Sequence, residues 1–235
     1  MVKSELIKRS PLRIFEKSIH GGVGKGHIGI IASKKGVGKP ACLTHIAVDK
    51  LFQDRKVIHV SFASNVDHII TWYEDIFQEI AKKRELEHAV DVHEEIVKNR
   101  VIMNFNQESV QTSQILQSLE ALITDGNFSA DSIIFDGYTV SETTGEEFAM
   151  IREFAEKLGL EIWFSVSLAE RSEGVCNDEG MPRAVESFSG GIDVIVNLRH
   201  EGDYVHLEVV KDHDTVEPKD MNLRLDPKTL LIAEE

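Results

Sequence analysis

The chain has 235 residues, of which 42% are hydrophobic and 28% charged, enough for one large α/β domain with a proper core. Its net charge of −14 argues against non-specific nucleic-acid binding, which draws most of its affinity from Lys and Arg neutralising phosphates. No apolar run approaches the ~20 residues of a membrane helix, MVKSELIKRSPLRIF is no secretory signal, and Cys42 and Cys176 fit neither a disulfide framework nor a zinc site, so a reducing cytoplasm is the simplest home.

Residues 1–27 read as a lead-in ending in a turn at Gly21, Gly22, Gly24 and Gly26. HIGIIAS (27–33) is the first buried strand, followed by a helix with Leu43, Ile46, Ala47 and Leu51 on one face. KVIHVSF (56–62) is the second strand, and Ile69, Tyr73, Ile76, Phe77 and Ile80 mark the next helix. The charged stretch 82–100 extends the helical layer as a mostly solvated segment, and RVIMNF (100–105) is a weaker strand. Ile115, Leu119, Leu122 and Ile123 give a third helix, SIIFDGY (132–138) a strand, and Phe148, Ile151, Ala155 and Leu158 a fourth helix. EIWFSVSL (161–168) and IDVIVNLR (192–199) are further strands, separated by a polar loop over 167–183. Its surroundings carry Glu170, Glu173, Asp178, Glu179 and Glu186 against Arg171 and Arg183, which disfavours DNA.

Continuous β-branched and aromatic runs suit a parallel sheet covered on both faces. The tail differs. Residues 203–214 and 221–232 look like antiparallel strands, with turns near Glu201-Gly202 and Pro218. The expected architecture is α/β: a mostly parallel sheet with helices on both faces, a core over 28–199 and a β-hairpin tail over 200–235, in one domain.

The letters GVGK occur twice, at Gly22 and Gly36. A phosphate-binding loop needs a strand before it and a helix after it, so that backbone N–H groups and the helix N-terminus surround the anion. Only the second copy has both, and Ser33 to Pro40 is therefore the loop, with Lys34, Lys35, Gly36, Val37, Gly38 and Lys39 as its phosphate-binding candidates. Against the pattern G-x-x-x-x-G-K-[ST], Ser33 replaces the first Gly and Pro40 the hydroxyl residue. That hydroxyl ligates Mg²⁺, and proline also lacks the N–H. Proline is at home in the first turn of a helix, so the turn survives while the magnesium chemistry does not.

The order and spacing of these segments resemble the RecA-type ATPases, in particular the KaiC-like and DnaB-helicase-like group, nearly end to end. PLRIFEKSIHGGVGKGHIGIIAS resembles their lead-in, VIHVSFAS their second strand, SIIFDGY their Walker B strand and GIDVIVNLRHEGDYVHLEVVKDHD their closing strand and hairpin. The resemblance implies ATP hydrolysis between neighbouring subunits, with Asp136 as the retained Walker B aspartate. It also implies a catalytic glutamate where Ala63 stands, in Ser61-Phe62-Ala63, and an arginine finger where His213 stands, in Lys211-Asp212-His213. Alanine cannot orient water, and histidine does not match arginine's fixed fork, worth ~10³–10⁵ in rate.

The expectation is a catalytically impaired RecA/KaiC-like protein, a binding or regulatory protein without an enzyme's turnover. ATP or ADP is held weakly if at all, with doubtful dependence on Mg²⁺ and no catalytic or metal-ligating residues. A protein partner or a homo-oligomer is expected, and neither nucleic acid nor membrane. The alternative is an active oligomeric ATPase with relocated groups such as Asp67 or Glu74. SKKGVGKP also resembles the deviant Walker A of the MinD/ParA type, with Lys34 at the signature lysine, but VIHVSFASN lacks the aspartate that family carries next. His200, His206 and His213 flank the hairpin without completing a metal set, and no G-x-S-x-G elbow surrounds Ser165, Ser167 or Ser189.

Overall fold

The computed structural model describes residues 1–107, 109–168 and 175–234. The chain is α/β, with a mixed sheet of nine strands in the order β3-β2-β4-β5-β1-β6-β7-β8-β9. The parallel part comprises β1 (Ile28–Lys34), β2 (Val57–Ser61), β3 (Arg100–Asn104), β4 (Ser132–Asp136), β5 (Glu161–Leu168) and β6 (Val194–Glu201). β7 (Tyr204–Asp212), β8 (Thr215–Leu225) and β9 (Ile232–Glu234) then continue the sheet antiparallel.

Strand alternation sends each buried strand's residues into two cores. Ile31, Ile134, Trp163 and Val196 meet one helical layer. It contains α1 (Lys3–Lys8), α2 (Leu12–Ser18), α3 (Lys39–Phe52), α4 (Asp67–Lys83) and α5 (Ala89–Lys98). Ile30, Val60, Phe135 and Phe164 face the other layer, formed by α6 (Thr112–Thr124) and α7 (Gly145–Leu158) with a 3₁₀ segment at 183–191. Both faces of the parallel sheet are thus dry, which explains the unbroken apolar runs. α7 starts on a capping box, Thr144 with Glu147, and stops at Gly159 in the left-handed region at φ 62°.

Two expectations gain detail and two change. Residues 1–27 hold two helices ahead of the glycine turn, anchored in the core by Leu6, Leu12 and Phe15. The charged stretch 82–100 extends the helical layer and is mostly exposed, in two pieces: α4 ends at Lys83, and α5 starts after Glu85 and His88 adopt positive φ. The hairpin turn falls at His213-Asp214, while Pro218 lies inside β8. There the register jumps from the Val209–Lys219 pair to the Lys211–Val216 pair, so proline's missing N–H interrupts no ladder bond. Nor is 221–232 one strand: Asp226 and Pro227 end β8, the Asp226 carboxylate accepts from Lys228 N at 2.8 Å, and β9 follows. Of the polar loop at 167–183, residues 169–174, with Glu170, Arg171 and Glu173, lie outside the described residues.

Among the described residues no helix is long and apolar enough to cross a membrane.

Candidate functional site

β1 is flanked by β5 on one side and β6 on the other, so the sheet grows outward from it in both directions. The crevice at the carboxyl end of such a strand is where open α/β sheets bind ligands. Residues 35–38 turn there and lead directly into α3, as the second GVGK requires. The first copy sits a strand's length away, about 20 Å at the other end of β1. Its Gly21, Gly22, Gly24 and Gly26 all have positive φ, and Gly26 N donates to Leu160 O at 2.8 Å, which closes a turn into the strand.

The loop's shape depends on its glycines. Gly36 has φ 81° and Gly38, the residue capping α3, φ 115°. A side chain at 38 would also meet Leu225 Cδ2 at 2.8 Å, because the end of β8 packs over the loop. Val37 leans on the same core. None of the backbone N–H groups of Lys35 to Lys39 has an acceptor among the described residues, and they lie at a helix N-terminus. Lys34 and Lys35 are exposed and form no ion pair with any described residue. This is a cradle of donors and cations suited to an anion.

Lys39 is buried, and its Nζ turns back to the loop, donating to Ser33 O at 3.0 Å and Lys34 O at 3.1 Å. Burial pulls its pKa below the usual lysine value, and the Asp136 charge partly opposes this. Asp136 ends β4, two places from β1 in the sheet, and senses Lys39 across β5. Burial raises its pKa, while a hydrogen bond from Ser165, His68 and Lys39 pull it down. Ser165 Oγ donates to Asp136 Oδ1 at 2.9 Å and accepts from Gly137 N at 2.9 Å, fixing the carboxylate and the turn behind it. Sequence reasoning missed Ser165 because the hydroxyl matters through a neighbouring strand, and no local motif records that.

Of the seven candidate residues, the structure places Lys34 to Lys39 along one strand–turn–helix junction and brings Asp136 within electrostatic range of Lys39. Pro40 is the second residue of α3, where no intrahelical bond is lost. Ala63 follows β2, its N–H bonded to Ser61 Oγ at 3.2 Å and its carbonyl to Asn104 Nδ2 at 2.9 Å. Glu74 is engaged elsewhere, 2.5 Å from His93 Nε2 and 3.8 Å from Arg100. The pair Lys211 and His213 lies at the amino end of the parallel strands, remote from the loop of its own chain. Lys211 Nζ is bound to the carbonyls of Ser189 and, at 2.6 Å, Ile192, and His213 rests 5.6 Å from His27.

Among the described residues no cluster of His, Cys, Asp and Glu could hold a metal ion. Compared with known proteins, the chain matches no protein-family model and, at a significant level, no curated protein.

Proposed function

We propose that this chain is a degenerate RecA/KaiC-like phosphate-loop protein that binds nucleotide phosphates weakly and without magnesium. It acts through a protein partner or a further copy of itself rather than through ATP turnover. The observation that carries this reading is the loop itself: a strand, a turn with two left-handed glycines, free N–H groups and a helix, with Lys39 inside and Asp136 opposite. A phosphate entering it would draw Lys39 Nζ away from the Ser33 and Lys34 carbonyls and add the charges of Lys34 and Lys35.

The arrangement also supports the loss of chemistry. Pro40 offers neither hydroxyl nor N–H to a metal-bound phosphate, and Ala63 offers no base. Asp136 without a metal repels phosphate, which favours weak binding. Relocation of the base to Glu74 is disfavoured by its contacts with His93 and Arg100.

Equilibrium binding of a fluorescent ATP analogue, with Mg²⁺ and with EDTA, tests this in wild type and Lys39→Ala. Binding indifferent to Mg²⁺ and weakened at least about tenfold by Lys39→Ala is expected, the loss of one charged hydrogen bond. Robust Mg²⁺-dependent hydrolysis that Lys39→Ala abolishes would make the chain an ATPase. Absence of binding would make the loop a relic.

A further inference from the structure

About 15 Å along α3 from Lys39, by the rise of an α-helix, a second chamber opens between α1, α3, α4 and the last strand. Its volume is about 160 Å³, with Leu6, Phe52, Ile80 and Leu231 among its walls. That is near the ~150 Å³ that accommodates one benzene ring and below the ~300 Å³ where drug-sized sites begin.

Its polar groups are unequally satisfied. Asp49 is saturated: its carboxylate accepts from Ser10 Oγ at 2.5 Å, from Gln53 Nε2 at 2.7 Å and from Arg13. His45 is not. It is 3% exposed and lines the chamber, and its Nδ1 accepts from Ile232 N at 2.9 Å. The ring proton is therefore on Nε2, which has no acceptor among the described residues. Lys83 also lines the chamber and forms no ion pair with any described residue. Arg84 gives a single long bond, 3.4 Å, to Arg9 O. Glu234, exposed and without an ion pair to any described residue, is the one opposing charge left over.

We propose that this chamber binds a small organic monoanion, its carboxylate received by His45 Nε2–H, Lys83 and Arg84 and its compact apolar body by Leu6, Phe52, Ile80 and Leu231. Three donors without matching acceptors around an apolar cavity favour an acceptor-only head on a body of about one ring. Burial keeps His45 uncharged, with its pKa down at about 3, so its N–H is available throughout the neutral range. Such a ligand would tie the N-terminal helices to α3 and to β9.

Benzoate is the probe, titrated into the full chain and followed by amide NMR, with benzyl alcohol and inorganic phosphate as controls. Benzoate is expected to saturate a shift of the Ile232 N–H, which reports His45 directly. Benzyl alcohol should bind at least about tenfold more weakly, for want of a charged acceptor, and phosphate should leave Ile232 unmoved. Lys83 is exposed, so Lys83→Ala keeps the fold, and it should weaken benzoate about tenfold. An Ile232 amide that benzoate does not move, an alcohol or phosphate that matches it, or an unchanged affinity in Lys83→Ala would each overturn the proposal.

Discussion

Lys39 Nζ donates to the Ser33 carbonyl oxygen at 3.0 Å, so the loop's buried cation is held by the backbone of the loop it belongs to. The residue after Lys39 is Pro40, which has no hydroxyl to offer a metal ion.

On the proposed reading, a hydroxyl at position 40 should confer metal dependence. Pro40→Thr is placed in the first turn of α3, where the N–H bonds to nothing in the helix, and is expected to change stability by less than about 1 kcal/mol. Binding of an ATP analogue should become tighter with Mg²⁺ than with EDTA, by about tenfold for one added ligand contact. Equal affinities in the two conditions would mean that Asp136 and the loop no longer frame a metal at all.

Inside the core, Lys50 Nζ and Glu161 Oε2 form a buried pair at 2.7 Å, and Glu161 Oε1 accepts from Trp163 Nε1 at 2.6 Å. Lys50→Met should cost about 3–5 kcal/mol, because it strands a carboxylate in a dry site. The double change with Glu161→Gln should recover much of that. Urea midpoints of the three proteins decide it, and a single-mutant loss under about 1 kcal/mol would show the pair to be solvated.

Stability should fall on mild acidification. His45 and His59 are fully buried, and burial pushes both pKa values down to about 3. Charging them in the unfolded chain starts near the ordinary value of ~6.5, so their contribution is intact above that pH and declines as pH falls toward 3. The two together should remove about 4 kcal/mol between pH 7 and pH 5. Asp49 and Asp136, whose pKa values are raised by burial, act in the opposite sense, favouring the native state as they protonate at lower pH. A urea midpoint that is flat from pH 7 to pH 5 would contradict the histidine assignment.

The two thiols should react very differently. Cys42 is fully buried with its pKa pushed up to about 12, whereas Cys176 is half-buried and only moderately disfavoured as thiolate by burial and Glu208. Ellman's reagent should modify one thiol in the native protein and two in urea, and prompt labelling of both in the native state would contradict the packing around α3.

Much of the parallel sheet was legible because both faces of each strand are buried. VIHVS and SIIFD are buried at every position, as is most of β1 and β5, so these strands read as largely apolar runs rather than as alternation. The loop was legible for a related reason: a left-handed turn feeding a helix demands glycine at 36 and 38. Elements stabilised by distant partners were not legible. α1 and α2 are each shorter than two full turns and hold their form through Leu6, Leu12 and Phe15 in the core, a cause no local periodicity records. The Pro218 turn failed because a proline read alone signals a break, while a register shift in β8 absorbs it.

The sequence by itself determined the α/β class and which GVGK copy lies between a strand and a helix, since each depends only on residue type and neighbouring pattern. The tertiary structure alone decided that Ser165 clamps Asp136, that Lys39 turns onto its own loop and that Lys211 is bound to the carbonyls of Ser189 and Ile192. It alone also placed His45 beside Lys83 and Arg84 around a common chamber. Hydrogen bonds and burial join groups far apart in the chain, and the free energy of each group is set by what lies beside it in space rather than by what precedes it in sequence.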